Sequence, residues 1–391
     1  MKDAFFLASR YISFHRGKTA TLVLGLMLAL VLPFGFRVMS ARFQRELIAR
    51  ADSIPWVVGE RGSSLELVLS GLYFEPTDAS RLSMADVGLA KPTTKGVVVP
   101  IHCEYQAAGA PVVGTTLGYF EQLRLRLVEG RMMGRVGDAV LGANVARRLG
   151  LGAGDQLLTD STNRVNLAGA YPLKLRITGV FAATGTPDDD AVFVDIKTSW
   201  IIAGIGHGHE AVDPDDPNQT LSANSENIVA SAAVTPYTEI TDENAGAIHF
   251  HGPAVERPVS VILVWPRDRR DEDLMQGEFI DFNQRLLLTS SHDAVNGLID
   301  NVVKLQLLLD AASIFLLVVS GLYLSLVMSL TYQLRAAERR TLHCLGCARG
   351  TILQMHFAEV VIVSGIALVG AGGVLGLLWA LGWSVPRTWL I

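Results

Sequence analysis

The sequence predicts an α-helical membrane protein that carries a large mixed α+β extracytoplasmic domain. Three observations predict it. First, residues 19–36, the stretch between Asp310 and Arg335, and the stretch between Glu359 and Arg387 hold no charged side chain. The last two exceed the roughly 20 apolar residues a helix needs to cross a hydrocarbon core. Second, arginines and lysines crowd one end of each run, which places those ends in the cytoplasm. Third, no segment between about residue 41 and residue 300 is long and apolar enough to cross. Composition agrees, since 50% of the 391 residues are apolar and mean hydropathy is +0.34, high for an ordinary soluble protein.

Residues 1–18 carry Lys2, Arg10, Arg16 and Lys18 against Asp3. They read as a cytoplasmic amphipathic segment leading into a first transmembrane helix at 19–40. A cleaved signal peptide is the competing reading. The uncharged run is longer than a usual signal core, and Met39 stands where a cut after Ala41 would need a small residue. Gly17-Lys18-Thr19 resembles the end of a phosphate-binding loop, but Ile12 occupies the place of its first glycine.

Residues 41–300 then form the external domain, long enough to bury a core of its own and to hold two subdomains. β-branched runs at 97–101 and 173–181 predict strands. The segment 139–149 predicts a strand passing into a short helix that Gly150 closes. Gly150, Gly152 and Gly154 follow that helix rather than open one, so they are a cap and turn and not a nucleotide fingerprint. Asp188-Asp-Asp190 after Thr184-Gly-Thr-Pro187 reads as a solvated turn, with a cation held by the three adjacent carboxylates as the alternative. Residues 204–253 are rich in Gly, Asp, Asn, Ser and Pro and read as a loop-rich insertion. Within them lie His207 with His209, and His249 with His251. In extended chain, residues two apart share a face, so the pairs could together supply a tetrahedral zinc site. Solvated loop histidines are the plainer alternative.

The C-terminal part divides into a second transmembrane helix at 308–333, a cytoplasmic loop at 334–354, a third helix at 356–383 and a short external tail at 384–391. The loop carries Arg335, Arg339, Arg340 and Arg349 against Glu338. Its Cys344-Leu-Gly-Cys347 has the spacing of a redox or zinc motif but no second cysteine pair, and reads as packing. The chain has three cysteines and a net charge of −5, which excludes a disulfide scaffold and gives no basic tract for nucleic acid. No Gly-x-Ser-x-Gly elbow or His-Glu-x-x-His helix is present. The expectation is a non-catalytic protein.

The order of these parts resembles the ABC-transporter permeases of the MacB/FtsX/LolC family (type VII, mechanotransmission). Arg335-Ala-Ala-Glu338, Leu342, Leu345-Gly346-Cys347 and Glu359 are similar to the family's Arg-Arg-x-Glu-x-x-x-Leu-x-x-Leu-Gly-Ala stretch and the helix after it, with Cys347 replacing the common Ala. Further pieces resemble its periplasmic core: Val113-Gly-Thr-Thr-Leu-Gly-Tyr-Phe120, Glu129-Gly-Arg131, Val140-Leu-Gly-Ala143, Ala146-Arg-Arg-Leu149, Gly154-Asp155, Ile177-Thr-Gly-Val-Phe181 and Thr184-Gly-Thr-Pro-Asp-Asp189. Residues 8–19 are similar to the family's amphipathic lead into the first helix. One departure stands out. The family usually has four membrane helices, and here the fourth is missing. A three-helix variant, a helix supplied by another chain, or a truncated gene would each explain that.

The resemblance implies an inner-membrane, multi-pass permease subunit with its N-terminus in the cytoplasm and its C-terminus in the periplasm. It implies an ABC ATPase partner, which binds the ATP, a homodimer or heterodimer of permeases, and a periplasmic adaptor. It makes Arg335, Glu338, Arg339, Arg340, Leu342, Leu345 and Gly346 a coupling helix, with the arginines facing acidic groups and the leucines as apolar anchors. Zinc at the four histidines would be the one resident cofactor. A signalling or scaffold protein of the FtsX kind that controls an envelope enzyme, or a degenerate permease, are the alternatives.

Overall fold

The computed structural model describes residues 2–76, 82–94, 96–160, 172–208, 220–223, 228–230, 238–282, 285–344, 346 and 348–380. The chain divides into two compact units: a mixed domain, Glu46–Leu298, and a helical unit, Met1–Arg45 with Ile299–Ile391.

The domain is built on a ten-stranded sheet. Its order is Leu286–Ser290, Trp56–Glu60, Val261–Trp265, Val97–Ala107, Ala110–Thr115, Val192–Asp195, Asp138–Leu141, Lys174–Phe181 and Leu127–Gly130, with Gln156–Leu158 also paired to Lys174–Phe181. The expected strand at 97–101 extends to Ala107 because it serves two neighbours. Its first half pairs Val261–Trp265, and from His102 onward it pairs Ala110–Thr115, with a register shift between His102 and Tyr105. Pro100, which has no N–H for the ladder, lies just before this change of partner.

Each half of the sheet has its own packing centre. Leu141, Val145, Leu175, Ile177, Val192 and Val194 fill one. Trp56, Val58, Ile262, Val264, Met275 and Phe279 fill the other. The domain is therefore one compact unit with two centres, where the length alone allowed two separate subdomains. The expected strand-to-helix passage is Asp138–Leu141 followed by Ala143–Leu149, and Gly150 closes that helix with φ +67°, a conformation that costs a Cβ-bearing residue more.

The helical unit contains Lys2–Phe14, most of Arg16–Ser53, most of Ser291–Leu334, Ala336–Cys344 and Arg349–Ala380. Among the described residues, three helices are long and apolar enough to cross a membrane: Arg16–Ser53, Ser291–Leu334 and Leu353–Ala380. The first two outrun the apolar stretches at 19–40 and 308–333. Beyond residue 40 the sequence turns polar but keeps strong helix formers such as Arg42, Gln44, Arg45, Glu46 and Leu47, so the surroundings change while the helix continues. Small residues allow close approach between helices. Ala29, Ala358, Ala367 and Ala371 are buried, and a Cβ on Gly370 would stand 2.9 Å from the sulfur of Met27.

Candidate functional site

Three arrangements stand out, beginning in the domain with Arg50. This residue lies near the end of the long helix Arg16–Ser53 and is 3% exposed. Its guanidinium donates from NH1 to Asp188 Oδ2 at 2.7 Å, and from NH2 to Asp188 Oδ1 at 3.1 Å and to the Tyr119 hydroxyl at 2.9 Å. Its Nε donates to the Leu72 carbonyl at 3.0 Å. Tyr119 in turn donates its hydroxyl to Asp188, and burial raises its pKa well above the ordinary phenol range, so it remains a neutral donor. Arg50 therefore ties a helix end to three separate parts of the domain.

This overturns the reading of Asp188-Asp-Asp190 as a solvated turn. Residues Pro187–Asp190 form a 3-10 turn in which Asp188 and Asp189 are 2% and 3% exposed. Asp189 accepts from the backbone N–H groups of Thr184 and Gly185, and Asp188 faces the arginine. A charge so deeply buried requires a partner, and that partner lies far away in sequence. Gly142 fits against the same turn, since a Cβ there would stand 2.2 Å from the Asp188 carbonyl oxygen. The pieces around Tyr119, Gly142, Phe181 and Asp188 thus converge, with Phe74, Tyr119, Phe120, Phe181 and Phe193 in mutual ring contact.

The second arrangement is the segment between the last two long helices. Helix Ala336–Cys344 carries Glu338, Arg339, Arg340 and Leu342, and Arg340 is exposed. Gly346 follows at φ +93°, with its N–H on the His343 carbonyl at 3.0 Å. Leu345, and the side chains of Glu338, Arg339 and Leu342, lie outside the described residues. Arg335 is placed differently from Arg340. It is 7% exposed, its NH1 donates to Glu359 Oε1 at 3.1 Å, and its guanidinium lies over the Tyr11 ring. His356 Nδ1 is 3.6 Å from the second oxygen of Glu359. The structure thus turns Arg335 into the helical unit and leaves Arg340 on the surface.

The third arrangement is histidine-rich. Strands Gly206–His207 and His249–Phe250 pair antiparallel with His207 opposite His249, and the His251 N–H continues the ladder to the Ile205 carbonyl at 2.9 Å. His207, His249 and His251 share a face, with ring centroids 4.7 to 5.2 Å apart. His209 lies outside the described residues. The two expected pairs do meet, through three of their four members.

Other buried ionisable groups have structural partners. Asp138 is fully buried, and although burial opposes its charge, hydrogen bonds from Arg176 and the Gly134 N–H hold its carboxyl below the usual range. His102 is also fully buried, and burial pushes its pKa down to about 4. Its Nδ1 is 3.0 Å from Ser199 Oγ, whose own hydrogen goes to the Ile196 carbonyl. Burial likewise raises the Cys103 thiol, away from reactivity. Sequence reasoning missed Arg50, Tyr119 and His102, because nothing in their local patterns distinguishes them from neighbours.

The family described as the MacB-like periplasmic core domain matches residues 19–240. Among solved structures, the periplasmic region of MacB from Actinobacillus actinomycetemcomitans is similar at 12% identity, covering 64% of this chain and 95% of its own, with a TM-score of 0.35. The extracellular domain of the ABC-type transporter YknZ from Gram-positive bacteria is similar at 9% identity, covering 60% of this chain and 98% of its own, with a TM-score of 0.33. No curated protein matches. Because the family match spans more than half of its residues, the chain belongs to the MacB-like periplasmic core domain family, and so to the MacB/FtsX-like ABC permeases.

Proposed function

We propose that the chain is the permease subunit of an ABC transporter complex in a bacterial inner membrane. In this reading a separate ATPase subunit binds and hydrolyses ATP, and the permease turns that into movement of its periplasmic domain, for export or extraction of an envelope substrate. The observation that carries it is the short helix Ala336–Cys344, with its exposed Arg340, between two helices long enough to cross a membrane. Arg339, Arg340, Leu342 and Leu345 would dock it in a groove of the ATPase. The domain's attachment supports a mechanical role. Helices Arg16–Ser53 and Ser291–Leu334 continue unbroken from apolar span into domain residues, and Arg50 fastens the end of the first. The N-terminus would be cytoplasmic, and two permease copies, alike or different, would meet across the membrane with a periplasmic adaptor above them.

The test is affinity capture of the full chain from gently solubilised membranes, beside the double variant Leu342→Asp, Leu345→Asp. An ATPase subunit recovered with the parent and lost with the variant supports coupling. Recovery of none with either would replace this reading with the scaffold or uncoupled one.

A further inference from the structure

We propose that His207, His249 and His251 form a site for a divalent transition-metal ion, with zinc as its natural occupant. One ligand nitrogen from each ring can be chosen so that all three lie within 4.8 Å of one another. Tetrahedral zinc with nitrogen bonds of about 2.0–2.1 Å sets its ligands about 3.3 Å apart, so small side-chain rotations close the remaining distance. The ribbon itself already holds the right faces. His207 and His249 are directly opposed, and His251 lies two residues beyond His249, which returns it to the same face.

The other face of the ribbon is fixed independently of any metal. Phe250 packs edge-on against Trp200, with ring centroids 6.4 Å apart, and the Arg257 guanidinium lies 4.5 Å from the Phe250 centroid. Phe250 also covers Gly206, where a Cβ would stand 2.6 Å from the ring. This anchoring gives the histidines a prepared backbone, which lowers the ordering cost of binding. His249 has a suitable outer contact as well. Its Nδ1 lies 3.2 Å from the Ala247 carbonyl, and since a carbonyl only accepts, that nitrogen carries the hydrogen. In that tautomer Nε2 is the nitrogen without a hydrogen and so the one able to ligate, the tautomer control that ligating histidines commonly receive.

The donor set selects the ion. Three imidazoles suit zinc, copper, nickel or iron, whereas magnesium and calcium require oxygen ligands. Exposed His249 and His251, beside partly buried His207, leave an approach from solvent, and three protein ligands leave a fourth position for water or another side chain. A bound ion would cross-link the ends of the segment between His207 and His249. That closure would stabilise the folded domain. The proposal does not depend on the permease reading.

The experiment uses the full chain in detergent, purified with a tag free of histidine and stripped with a chelator. Zinc is titrated calorimetrically, and cobalt is added separately to read tetrahedral nitrogen ligation by visible absorption. One zinc per chain is expected, with binding weakened about tenfold or more by each of His207→Ala, His249→Ala and His251→Ala, and the cobalt spectrum lost. Controls His343→Ala and Cys344→Ser leave both unchanged. A variant whose metal-free melting differs from the parent's is replaced by the corresponding His→Gln. Failure of the parent to bind zinc at micromolar concentration overturns the site, as does zinc binding that survives the triple substitution.

Discussion

In the domain and in the helical unit, an arginine is buried against a carboxylate, but the two pairs are made differently. Arg50 reaches Asp188 with two nitrogens, and Tyr119 and the Leu72 carbonyl join the same group. Arg335 reaches Glu359 with one nitrogen, beside the Tyr11 ring and His356. Their settings differ too. Around Arg50 the large apolar side chains Phe74, Phe181 and Phe193 are almost wholly buried. The helical unit instead exposes Phe315, Leu322, Leu326, Leu368, Val369 and Trp379, each by more than half. An exposed apolar surface of that extent is the kind that a membrane or a partner covers. The difference teaches that the Arg50 pair anchors a tightly buried core, whereas the Arg335 pair holds a local turn between helices whose outer faces are apolar.

The strongest way to break that comparison is at Arg50. Arg50→Ala leaves Asp188 buried without its charge partner, and we expect a loss of about 3–5 kcal/mol from the domain's unfolding free energy. The double variant Arg50→Met, Asp188→Leu removes both charges and should recover most of it. Denaturant unfolding of the full chain in detergent, followed by tryptophan fluorescence, reads both. If Arg50→Ala costs under 1 kcal/mol, on the scale of an exposed pair, the anchor reading fails.

A second test concerns His102, whose Nε2 stands 3.9 Å from Glu104 Oε2. His102 titrates at about 4 in the fold because of its burial, against about 6.5 in an unfolded chain. Between those values the unfolded chain binds a proton that the native state refuses, so stability is full above pH 6.5 and falls as pH drops towards 4. The expected loss over that window is on the order of 3 kcal/mol. His102→Gln should lower stability at pH 7 and flatten the slope between pH 6.5 and 4. An unchanged slope would move the acid sensitivity to other groups.

These sites also mark what was legible. The three long apolar helices, the strands at 97 and 174 and the helix closed by Gly150 follow from local pattern, because period, length and turn residues are local properties. The histidine pairs were legible as spacing, but their meeting depends on the register of two strands separated by a long segment. Asp188 was misread for the same reason. A run of three aspartates signals a solvated turn until a distant arginine is folded onto it. The helix ends were not legible where polarity and helicity separate, as at residues 41–53, since apolar patterning marks a span and says little about the helix that continues past it.

The smallest effect should come from Glu359→Gln, which sharpens the contrast between the pairs. The amide still accepts from Arg335 but without charge, so the loss is about 1 kcal/mol, and the domain's unfolding transition should stay where it is. The change should appear locally instead. Arg335 lies at the junction between Ser291–Leu334 and Ala336–Cys344, and weakening its hold raises the population of an open junction. At fixed trypsin, cleavage after Arg335 should rise about fivefold, the ratio that corresponds to 1 kcal/mol. Cleavage after Arg340, already exposed, should rise less. Equal increases at both would mean that the whole segment loosens together, and the pair would then support the entire coupling helix rather than its first residue.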